Sequence, residues 1–105
     1  TWSLPRRLPV WGHPSHLLRL QSGRLLLTYG YRRPPYGIRA CISADDGQTW
    51  DLQHELILRA DGENTDLGYP SSVQLANGQI MTTYYLHEPG PNGIRYIAGS
   101  VYDEW

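Results

Sequence analysis

The chain has 105 residues, 40% of them hydrophobic and 18% charged, an ordinary balance for one small globular unit. Nine basic and ten acidic side chains leave a net charge of −1. There is no long-range field to recruit a nucleic-acid backbone or an anionic membrane surface, and neither is an expected partner.

No apolar run approaches the roughly 20 residues of a membrane-spanning helix, and no charged leader followed by an apolar segment opens the chain. It starts at Thr1 without methionine, as a processed, trimmed or excised product would. The single Cys41 lies in the apolar run Ala40-Cys41-Ile42. It has no intrachain disulfide partner and is expected to be a buried, inert thiol, which leaves the compartment open.

From residue 13 onward the pattern is short strands joined by polar turns, without a helical apolar period. The first pair of strands flanks Ser22-Gly23, a hairpin signal set between apolar runs. A proline-rich loop, Arg32 to Tyr36, leads to a third strand opening at Gly37-Ile38, and a fourth is expected over Asp51 to Arg59. The second half repeats the order: strands flank Asn77-Gly78, a loop runs from His87 to Asn92, and a third strand opens at Gly93-Ile94.

The two halves superpose at a spacing of about 55 residues. Pro14-Ser15, the turn glycine Gly23, Thr28-Tyr29 and Gly37-Ile38-Arg39 recur as Pro70-Ser71, Gly78, Thr83-Tyr84 and Gly93-Ile94-Arg95. Arg39 and Arg95 are therefore expected at equivalent places, in a repeated structural role. Each half reads as one four-stranded supersecondary unit, and the chain as all-β.

The most specific motif is Ser43-Ala44-Asp45-Asp46-Gly47-Gln48-Thr49-Trp50. Asp45 and Thr49 can bond the turn's own backbone, Gly47 can take a positive φ, and Trp50 can pin the turn against its neighbours. The segment resembles the Asp box (BNR repeat) of sialidase-like β-propellers. That resemblance implies two four-stranded blades of a six-bladed propeller, within a single unit spanning 1–105. Residues 13–60 form the first blade and 69–105 a second lacking its outer strand. Thr1-Trp2 resembles the end of another such box, so residues 1–9 are expected as an outer strand closing a neighbouring blade. Two blades leave outer faces wet and a sheet edge open, and head-to-tail copies, a homotrimer, would close the ring.

Sialidases use three arginines to clamp the substrate carboxylate, an aspartate as acid and base, and a tyrosine nucleophile activated by a glutamate. Guanidinium forks match a carboxylate bidentately, and a neutral phenol avoids the repulsion a carboxylate nucleophile would meet. Gly68-Tyr69-Pro70-Ser71 is similar to the stretch carrying that tyrosine, which makes Tyr69 the candidate nucleophile. Arg32 resembles a triad arginine, and Asp66 and Glu63 are the nearby carboxylates. His13 and His87, with Arg33 and Glu88 beside Arg32 and His87, complete an expected sugar-binding rim.

The sequence departs from the family where Pro70 follows Tyr69, where Tyr85 stands in place of the glutamate, and at Gly12 and Gly68, where a further arginine belongs. The loop Arg33 to Gly37 holds no acid, so one chain lacks a complete catalytic set. The expected function is a carbohydrate-binding or glycosidase-related module acting at a pocket formed on ring closure, the alternative being a noncatalytic scaffold. His13, His16, His54 and His87 lack zinc-site spacing, and no metal or cofactor is expected.

Overall fold

A computed structural model describes residues 1–105 as seven strands without a helix: β1 Ser15–Arg19, β2 Leu25–Tyr31, β3 Gly37–Ser43, β4 Leu56–Arg59, β5 Gly68–Gln74, β6 Ile80–His87 and β7 Arg95–Tyr102. They form two antiparallel sheets, ordered β1-β2-β3-β4 and β5-β6-β7. Two identical turns set the registers. Leu20 N donates to Arg24 O at 2.9 Å and Gly23 N to Leu20 O at 2.9 Å, and Leu75, Gln79 and Gly78 repeat this pattern at 2.7 and 2.9 Å. Gly23 and Gly78 sit at φ 91° and 88°, where a side chain would be strained.

The sheets pack face to face. Leu20, Leu26, Ala40 and Ile42 of the first meet Ile80 of the second, and Ile38 joins Leu67, Tyr84 and Leu86. Across the middle of this apolar contact runs a line of hydroxyls. Thr28 Oγ1 lies 3.2 Å from Ser72 Oγ, which lies 2.8 Å from Thr82 Oγ1, itself 2.6 Å from the Tyr102 hydroxyl. Each of these buried hydroxyls has a partner, so the sheets lock in one register without an unsatisfied group along the line. At one end of the contact the backbones come close. A Cβ on Gly30 would sit 2.7 Å from His13 O and 3.2 Å from Gly68 Cα, so β2 and β5 meet where only glycine fits.

Three expectations shift. The fourth strand begins at Leu56 instead of near Asp51, because Asp51 and His54 close a turn of their own, His54 N donating to Asp51 Oδ1 at 3.2 Å. The third strand of the second unit begins at Arg95, because Gly93 and Ile94 lie in the loop: Gly93 N bonds Gly90 O at 3.2 Å and Glu88 N bonds Ile94 O at 2.9 Å. Arg39 and Arg95 are therefore not equivalent. Arg39 faces Tyr29 within β3, whereas Arg95 faces His87 at the first position of β7.

Residues 1–14 contain no strand and leave the β7 edge unpaired. They turn instead onto the first sheet, where Leu8 and Val10 pack with Trp50 on Leu27, Tyr29 and Cys41, and Arg6 donates to Gly47 O at 2.7 Å and to Gln48 Oε1 at 3.1 Å. Burial pushes the Cys41 thiol up to about 12, so it is protonated and unreactive.

Candidate functional site

The chain presents polar chemistry at both ends of its strands. At the end holding the hairpin turns, the Ser43–Trp50 segment closes on itself. Ser43 Oγ donates to Asp45 Oδ1 at 2.8 Å and accepts from Gly47 N at 2.8 Å. Asp45 in turn accepts from Thr49 N at 2.8 Å and Thr49 Oγ1 at 2.6 Å. Gly47 takes φ 86°, and Trp50 packs into the cluster around Tyr29. The Thr49 hydroxyl, then its amide and Ser43, hold the Asp45 carboxyl down at about 2. Ser43, Asp45 and Thr49 spend their polar groups within the turn.

A recess of about 480 Å³ lies beside this turn, between Trp50 and Trp105. Its charged groups are already engaged. Arg24 donates to Glu104 at 2.7 Å and to Trp105 O at 2.8 Å, and Asp51 pairs with His54 at 2.8 Å.

At the opposite end, where β2 and β6 finish and β5 begins, side chains from both sheets converge. Tyr69 has φ 50°, a left-handed conformation rare for an aromatic residue, and its ring is exposed. Such strain persists only where surrounding structure over-determines it, and it concentrates at working sites. Here Gly68 at φ 124° and the irregular register between Gly68 and Ser71 turn the chain outward, and the Tyr69 ring settles 5.8 Å from that of Tyr85.

The Tyr85 hydroxyl donates to Asp66 Oδ1 at 2.8 Å, and Arg95 Nε lies 2.6 Å from Asp66 Oδ2. Arg32 reaches over from the first sheet, donating Nε and Nη2 to Leu67 O at 3.1 and 2.9 Å. Its Nη1 makes no bond within the chain. Shallow grooves of about 310 and 240 Å³ open beside Tyr85, one lined by Arg95, Tyr96 and Ile97, the other by Tyr69, Thr83, Tyr84 and Ile97.

Electrostatics assign states to these groups. The Tyr85 hydrogen bond, followed by the charges of Arg95 and His87, holds the Asp66 carboxyl below the usual carboxylate range. Burial, then the Asp66 bond, raises the Tyr85 phenol. At neutral pH Asp66 is an anion and Tyr85 a neutral donor. Neither state suits a general acid or an activated nucleophile. The Tyr69 hydroxyl has no base on it, since Asp66 is taken by Tyr85 and Arg95.

Of the residues expected from sequence, Arg32, Asp66, Tyr69 and His87 thus lie around one corner. Arg33 and His13 meet about Trp11, which packs on Tyr31 at the end of β2, with the His13 backbone bonded to Gly30. The Arg33 guanidinium stacks 3.7 Å over the indole, and His13 meets its edge at 5.9 Å. Glu88 serves its own loop, accepting from Ile94 N at 3.5 Å. Tyr85 and Arg95 were not expected at the site. Tyr85 carried a signal, standing where the resemblance places the nucleophile's glutamate, but Arg95 was hidden by the misleading Gly-Ile-Arg recurrence.

A second polar network lies within the first sheet. The Tyr29 phenol donates to Glu55, Arg39 donates to the same carboxylate at 2.8 Å, and the Arg39 guanidinium covers the Tyr31 ring at 3.5 Å. Burial, then the Glu55 bond, drives the Tyr29 phenol far above its usual range. With Tyr29 inaccessible, the network is structural.

No family model and no curated protein matches the chain. Among solved structures it is similar to a protein of unknown function from Dyadobacter fermentans DSM 18053, with 43% identity and a TM-score of 0.79 over 93% of this chain. The match covers 26% of that protein, so the chain spans about a quarter of its length and shares the architecture of that part.

Proposed function

We propose that the chain is a two-blade segment of a sialidase-like Asp-box propeller, and that its Arg32–Asp66–Tyr69–Tyr85–Arg95 corner binds an acidic carbohydrate. One observation carries this reading: Tyr69 is turned outward in a strained backbone beside Tyr85, with two guanidinium groups and one carboxylate around the pair. Exposed aromatic faces suit the apolar side of a pyranose, Asp66 can take sugar hydroxyls, and the free Arg32 Nη1 and exposed Arg95 suit a carboxylate. Further units would wall the corner into a pocket, supplied either by copies of this chain, as a homotrimer, or by other repeats.

Binding is favoured over exo-glycosidase catalysis because Asp66 is held as an anion and the Tyr69 hydroxyl has no base. The test is a glycan array of neutral and acidic sugars followed by titration calorimetry. Acidic sugars are expected to bind, and Arg32→Ala to weaken them by about tenfold or more, the worth of a hydrogen bond to a charged group. An array without arginine-dependent signal would leave the segment as a scaffold. Hydrolysis of a fluorogenic sialoside that Tyr69→Phe abolishes would reinstate catalysis.

A further inference from the structure

All nine basic residues of the chain are arginines. All but Arg7 and Arg33 donate to a carboxylate, a carbonyl or an amide oxygen within the chain. Both exceptions lie at Trp11. Arg33 stacks its guanidinium 3.7 Å over the indole, and Arg7 and Trp11 bound a groove of about 360 Å³ lined between them by Leu8, Pro9 and Val10. A stacked guanidinium uses its face and keeps the N–H groups in its plane free to donate.

The indole under Arg33 is itself braced. Trp11 meets Tyr31 edge-on at 5.4 Å, and the Tyr31 ring is covered by Arg39, which is tied to Glu55 at 2.8 Å. His13 meets the same indole at 5.9 Å, and its ring nitrogens have no partner in the chain. No carboxylate pairs with Arg7, His13 or Arg33. Donors held in place without a counter-ion suit an anion from outside, because little side-chain freedom is lost when it binds.

This cluster adjoins the Tyr69 corner. Gly12-His13-Pro14-Ser15 and Gly68-Tyr69-Pro70-Ser71 stand at the same place in the two sheets, leading into β1 and β5, and His13 and Tyr69 are both exposed. Gly30 lies between them. His13 N donates to Gly30 O at 3.0 Å, and a Cβ on Gly30 would sit 3.2 Å from Gly68 Cα, so no side chain at that position separates the two. Arg32 and Arg33 then diverge from Cα atoms ~3.8 Å apart, Arg32 to Leu67 O and Arg33 to Trp11.

We propose that Arg33 and Arg7, with His13 beside them on Trp11, form a second anion subsite, and that the ligand is an oligosaccharide carrying an acid on more than one of its residues. One acid group sits on Arg32 beside Tyr69 and another on Arg33 and Arg7. This rests on the carbohydrate reading of the Tyr69 corner and narrows it, since a sugar with a single acid leaves Arg7 and Arg33 unused. A nucleic acid is the poorer polyanion here, because Arg33 covers the Trp11 face on which a base would stack.

The experiment is titration calorimetry on the intact chain, with galacturonate and sialic acid each offered as monomer and as linear trimer. A trimer is expected to bind about tenfold or more tightly than its monomer, as when a second charged contact is made within one complex. Arg33→Gln and Arg7→Gln replace exposed side chains and should leave urea unfolding in place. Arg33→Gln is expected to erase the gain of the trimer while the monomer binds as before, Arg7→Gln to reduce that gain, and Arg32→Ala to weaken monomer and trimer alike. Arg32-dependent monomer binding with no gain for the trimer, or a gain that survives Arg33→Gln, would overturn the second subsite and leave the corner reading intact. Binding of neither monomer nor trimer would remove both. An oligothymidylate of matched charge that binds as tightly as the trimer would also overturn the proposal, marking the patch as a general polyanion surface.

Discussion

The two polar ends of the molecule are built in opposite ways. The Ser43–Trp50 turn closes on bonds among Ser43, Asp45, Gly47 and Thr49, with Arg6 and Arg19 pairing with it from neighbouring segments. The corner at Tyr69 is assembled from Arg32, Asp66, Tyr85 and Arg95, which belong to separate segments of both sheets. A turn whose central polar groups bond one another can anchor a fold from local sequence alone. A corner that borrows its partners keeps donors to spare, and depends on the whole packing to hold them.

The largest effect that would test this contrast is Ser43→Ala. Ser43 is buried, and losing its hydroxyl leaves Gly47 N without a partner, so the chain is expected to lose about 2 kcal/mol in urea unfolding. Arg32→Ala removes both donors from Leu67 O and is expected to cost about 1 kcal/mol in the same measurement, less than the turn serine. If Arg32→Ala proves the more damaging, the corner is a structural clamp and the contrast breaks.

Protonation sharpens the contrast further. Asp45 is depressed on folding, so the stability it contributes is complete above the usual carboxylate range and is lost as pH falls towards about 2. Thr49→Val removes the main cause, and NMR titration of the Asp45 carboxyl should then show a midpoint shifted to higher pH, with acid unfolding following it. The smallest effect is expected for Tyr85→Phe. It should raise the Asp66 midpoint, because the first cause of its depression is gone, while Arg95 keeps it below the usual range. Thermal stability should change little, so an Asp66 midpoint that stays put would mean that Arg95 alone holds the carboxylate.

These differences also explain what was legible beforehand. The turn glycines Gly23 and Gly78 and the apolar runs around them placed β1, β2, β5 and β6 well, because hairpins are written in adjacent residues. The Asp45 and Thr49 roles were legible for the same reason. Arg95 was not, because the loop after β6 is longer than the one after β2 and carries Gly93-Ile94 out of the strand, so an identical tripeptide lands at a different register. Arg33 follows Arg32, yet one reaches the second sheet and the other stacks on Trp11. Adjacency in sequence says nothing of which side of the loop a side chain leaves from.

The hydroxyl line between the sheets also admits two proton orders. A hydroxyl gives one proton, and either partner can be the donor at each contact of the line, so the protons can run from Tyr102 towards Thr28 or from Thr28 towards Tyr102. The phenol stands at one end, and every inner member both gives and receives in either order. Shortening the line by Tyr102→Phe removes the end member and leaves Thr82 with Ser72 as its hydroxyl partner. The two sheets are thus coupled through a shared line of hydroxyls, crossing at Thr28 and Ser72, as well as through apolar contact.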